Sequence, residues 1–144
     1  MTVDTARYVR RARRYFFLGW FLAIFNLLST LWAIWLPIDL IARQKQWAFL
    51  WFDYTFFFID EQTNYAFWAT MSIAALFCIM FLQLWLLPRL AMRLDWDIEE
   101  CDQAAAALSI ARFLAGVGVV VCFLSFLFDA QRYSTWRTIL EFQQ

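Results

Sequence analysis

The sequence contains no histidine. That removes the commonest protein ligand of haem iron and zinc, and the usual general base near neutral pH. Three glycines and two prolines are too few for a long flexible linker or a glycine-rich phosphate loop. Charged residues make up only 17% of the chain, where a soluble domain carries about 25%. The 12 basic residues balance the 12 acidic ones, so there is no cationic field for nucleic acid, and no nucleic-acid partner is expected. All but one of the basic residues are arginine, a composition that points to a bacterial source. Three cysteines without a C-x-x-C pair do not make a disulfide framework, and Cys78 and Cys122 read as small buried apolar residues.

What is abundant is apolar: 64% of 144 residues. A soluble domain of this size cannot cover so much apolar surface. The expected fold class is an all-α integral membrane protein. Three transmembrane helices are expected, with an interfacial aromatic segment and an amphipathic helix leading into the third span. The runs 16–36, 66–87 and 107–128 each reach the ~20 residues that a helix needs to cross a bilayer core. Pro37 and Pro88 follow the first two as helix exits, and Asp129 closes the third. Residues 1–15 then form a basic arm and 37–65 an outer loop. Residues 88–106 form a cytoplasmic acidic loop helix, and 129–144 an outer interfacial tail.

Orientation follows from the basic residues. Arg7, Arg10, Arg11, Arg13, Arg14, Arg89 and Arg93 fall on one side, against Arg43, Lys45, Arg132 and Arg137 on the other. The positive-inside rule places the N-terminus in the cytoplasm and the C-terminus outside an inner membrane. Arg13-Arg14-Tyr15-Phe16-Phe17-Leu18 resembles a twin-arginine export signal. The apolar run behind it is longer and bulkier than a signal core, so a retained span is expected.

Each run carries small residues at helical spacing, the pattern that lets membrane helices approach closely. The first has Gly19, Ala23, Asn26, Thr30 and Ala33; the second Ala66, Thr70, Ala74 and Cys78; the third Ala107, Ala111, Ala115, Gly118, Cys122 and Ser125. These faces either meet within one bundle or dock a partner subunit. Asn26 and Gln83 are expected to hydrogen-bond between helices, with a transport pathway as the alternative. Arg112, about one turn inside the third span, is expected to snorkel to the headgroups, or else to pair with an acid.

In 90–106, Leu90, Leu94, Ile98 and Cys101 line one face, while Asp95, Asp97, Glu99, Glu100 and Asp102 line the other. The acids either clamp the arm arginines Arg10, Arg11, Arg13 and Arg14, or leave those arginines to anionic lipid. The spacing of Asp95, Asp97 and Glu99 lacks the glycine turn of an EF-hand, and no metal site is assigned. The segment 47–59 is mostly aromatic and too short to span. A short interfacial helix or re-entrant turn is expected there, presenting Trp47, Trp51, Tyr54 and Phe57 to lipid or a protein partner. A flat apolar ligand (a quinone, carotenoid or structural lipid) is the third candidate. Tyr133 and Trp136 are expected to rim the same outer end from a second interfacial helix.

No catalytic or cofactor residue is assigned, and no enzyme is expected: the outer carboxylates Asp39, Asp53, Asp60 and Glu61 form no motif. The function expected is a small accessory or scaffold subunit of a larger membrane complex, with lipids and other integral membrane subunits as partners. The alternative is a homo-oligomeric channel or carrier, for which Asn26, Thr30, Thr70, Gln83 and Ser125 are the sparse polar candidates.

Overall fold

Where water is absent, backbone amides must be satisfied within their own segment, and long apolar runs become helix. The computed structural model is accordingly all-helical: α1 (Val3–Phe49), α2 (Phe52–Ala91) and α3 (Glu99–Gln143). The structure describes the backbone of residues 3–49, 52–94 and 99–143, and the side chains of 6–42, 63–94, 99–138 and 141–142. All three helices are long and apolar enough to cross a membrane. They outrun the hydropathy runs at both ends, so the expectation that the prolines are helix exits is corrected. Pro37 lies inside α1 and Pro88 inside α2. The residues expected as an outer loop are mostly continuations of the two helices, and no separate short helix or re-entrant turn carries the aromatic segment among the described residues.

The expected single helix over 90–106 is also corrected. α2 ends at Ala91, where Arg93 N–H bonds Leu90 O at 3.1 Å and Leu94 N–H bonds Ala91 O at 3.2 Å. These i→i−3 bonds tighten the last turn. Glu99, Glu100 and Asp102 then occupy the first turn of α3, where negative charge suits the helix dipole.

Two compact units make up the chain, Met1–Thr30 with Cys78–Val119 and Leu31–Phe77 with Val120–Gln144. Each takes a stretch from all three helices. The core of the first unit includes Ala12, Ala23, Leu87, Cys101, Ala104, Leu108 and Ala111. The second has a cluster of Leu40, Ala66 and Trp136, flanked by Tyr65 and Tyr133. Buried positions are mostly small or polar, whereas bulky side chains face outward: Phe17 is 71% exposed, Trp68 69% and Phe113 70%. Soluble proteins rarely leave such continuous apolar surface uncovered.

Candidate functional site

In the first unit the three helices meet on one buried amide pair. Asn26 Nδ2 donates to Gln83 Oε1 at 2.8 Å, and Gln83 Nε2 returns a bond to Asn26 Oδ1 at 2.9 Å. Asn26 Nδ2 also donates to the Ala111 carbonyl at 2.9 Å. One side chain of α1 thereby holds both other helices. Thr30, one turn on, turns its hydroxyl back onto the Asn26 carbonyl. Glycines flank this node. A Cβ on Gly19 would lie 2.8 Å from the Ala107 carbonyl carbon, so α1 and α3 touch backbone to backbone. A Cβ on Gly118 would run into Met80 Sδ and Thr30 Oγ1.

In the second unit a proline sets the polar chemistry. Pro37 has no N–H, so the Ala33 carbonyl loses its helical donor. Ser125 Oγ on α3 donates to that carbonyl at 2.7 Å, with both residues buried. Membrane helices tolerate proline where a neighbouring hydroxyl makes this repair. Ser125→Ala should cost about 0.6 kcal/mol, the average for such bonds in membrane proteins. The cost should vanish in a Pro37→Ala background, where the ladder supplies its own donor; detergent-unfolding midpoints of the four variants measure this.

One turn beyond Ser125 lies Asp129, 0% exposed, with neither carboxylate oxygen hydrogen-bonded. Asp129, expected to close the third run, instead lies inside α3 on its buried face. The signal was available. The buried face 111, 115, 118, 122, 125 steps by four and three, and the next step of four is 129. Elsewhere in this unit Tyr65 O–H donates to Asp39 Oδ2 at 2.5 Å.

The other assigned residues fall as follows. Gly19, Ala23, Asn26, Thr30, Ala111, Ala115, Gly118 and Cys122 are all buried. The second stripe is corrected. Ala66 and Thr70 are buried, but Ala74 is half-buried and Cys78 exposed. Strict steps of four drift about 40° each on a 3.6-residue helix. The buried face runs instead through Ile73, Met80, Gln83 and Leu87. Trp136, expected at an outer rim, is only 4% exposed and packs with Leu40 and Ala66. Tyr133 is half-buried, its ring 5.6 Å from that of Phe67. Both continue the inward face of α3. The side chains of Trp47, Trp51, Tyr54, Phe57 and Asp95 lie outside the described residues.

Arg7, Arg10, Arg11, Arg14 and Tyr15 line a cleft of about 380 Å³. Arg13 and Arg112 are exposed, as are Glu99 and Asp102. Among the described residues no ion pair joins the arm arginines to the acids of α3. No group of described residues is arranged to hold a metal ion. No protein-family model, no curated protein and no solved structure matches the chain.

Proposed function

We propose that the chain is a three-crossing inner-membrane protein of bacterial type that serves as a non-catalytic accessory subunit, holding neighbouring membrane proteins in place. One observation carries this reading. All five side chains expected as the sparse polar candidates for a pathway bond within the chain. Asn26 and Gln83 bond each other, Thr30 and Thr70 bond carbonyls one turn back, and Ser125 bonds the proline-freed carbonyl. Their chemistry is used to join helices. What the helices offer outward is a broad apolar surface for lipid and for other membrane helices, with tryptophans such as Trp20, Trp32, Trp35 and Trp85 on it. The basic count supports a cytoplasmic N-terminus and an external C-terminus. The arginine cleft at the start of α1 would then sit at the anionic inner leaflet.

Gentle detergent extraction should yield a particle larger than one chain in a micelle, with a second polypeptide in fixed ratio by mass spectrometry. Purification as a lone monomer would count against the reading. The runner-up, a homo-oligomeric carrier, draws support from Asp129; cation flux into vesicles reconstituted with the pure chain would favour it.

A further inference from the structure

We infer that Asp129 is a proton-binding site enclosed within the second unit, its carboxyl held as the neutral acid. Its carboxylate is fully buried and neither oxygen has a donor. A bare charge in such surroundings carries a penalty that proteins relieve by neutralising the group, either with a proton on the oxygen or with a cation beside it. Acids inside membrane helices belong to ion and proton sites for the same reason.

The setting favours a small ligand. Asp129 follows Ser125 by one turn on α3, and Ser125 bonds α1 where Pro37 interrupts the ladder. Asp129 is therefore one helical turn from the point where α3 meets the proline-interrupted stretch of α1. A metal cation, or a lysine from a partner, has no open surface by which to reach a carboxylate with no exposure. Among the described residues of this unit the other titratable groups are few. They are Asp39 on α1, Tyr65 on α2, and Cys122, Arg132, Tyr133, Arg137 and Glu141 on α3. Asp39 accepts from Tyr65, Arg132 lies over the Phe128 ring, and Arg137 pairs with Glu141. None of them is hydrogen-bonded to Asp129.

This site requires neither the accessory role nor transport, so its failure and theirs are separately visible. The test is infrared spectroscopy of the full chain in lipid, first in sodium-free choline buffer across a pH series. At neutral pH a carbonyl stretch of a protonated carboxylic acid is expected. It should vanish in Asp129→Asn and move in Asp129→Glu. The Glu variant keeps the assignment open if the Asn variant fails to fold. Loss of the band only at alkaline pH identifies the proton as ligand. Its replacement by a carboxylate band on adding sodium chloride at constant pH would assign the site to sodium and overturn the proton. An Asp129 carboxylate signal at neutral pH in choline buffer, with an acid band only at acid pH or none, would overturn the inference.

Discussion

Gly19→Leu is expected to separate α1 from α3 and to abolish the stable fold of the first unit. Even the Cβ of an alanine there would lie 2.8 Å from both the carbonyl carbon and the Cβ of Ala107, and 2.9 Å from the Leu108 nitrogen. Two of those atoms are backbone and cannot rotate aside; the helices must move apart. Overpacking of a well-filled core costs about 1–3 kcal/mol, and a backbone obstacle belongs at the upper end. Gly19→Ala should therefore cost about 3 kcal/mol. Gly118 provides the comparison. Its obstacles are a methionine tip and the Thr30 hydroxyl, and a methionine can swing away. Gly118→Ala should be milder than Gly19→Ala, while Gly118→Leu should again be severe. Tryptophan fluorescence during titration with a denaturing detergent measures all four. Equal stability of Gly19→Ala and the parent would mean that α1 and α3 do not touch at this point.

Asn26→Leu should be the most damaging substitution of a polar side chain in the first unit. It removes three hydrogen bonds and leaves the buried Gln83 amide with nothing on either end. Bonds between membrane helices average ~0.6 kcal/mol each. The larger part is the stranded amide, at about 1–3 kcal/mol. Together the loss is on the order of 3 kcal/mol. Asn26→Leu/Gln83→Leu should then be more stable than Asn26→Leu alone, since no polar group is left orphaned. A double variant that unfolds at the same point as the single one would show that the pair does not act as a unit.

How much of this could be read from the residues depends on whether the deciding force was local. Asn26 stood out because an amide in an apolar run has few places to go, and small residues at steps of three and four do mark the inner faces of α1 and α3. Pro37 misled because the rule that proline ends helices is local, whereas its acceptance in α1 depends on Ser125, which lies 92 residues away from the carbonyl it repairs. Asp129 misled for a similar reason. A charge next to an apolar run looks like a boundary, although its register on α3 pointed inward. Trp136 reads as an interfacial anchor by residue type, and the continued register of the same helix face buries it. In each case helical phase carried information that residue chemistry concealed.

The amide node has a consequence for synthesis. Asn26 and the Ala111 carbonyl are separated by 85 residues. At about 5–20 residues per second, several seconds or more separate the birth of one partner from that of the other. For the first 57 residues of that interval Asn26 has no side-chain partner from its own chain, and the notch at Gly19 stays open until Ala107 follows. An insertase or chaperone that shields this face, and lets go once the last helix emerges, would spare the newborn chain from pairing with the wrong neighbour.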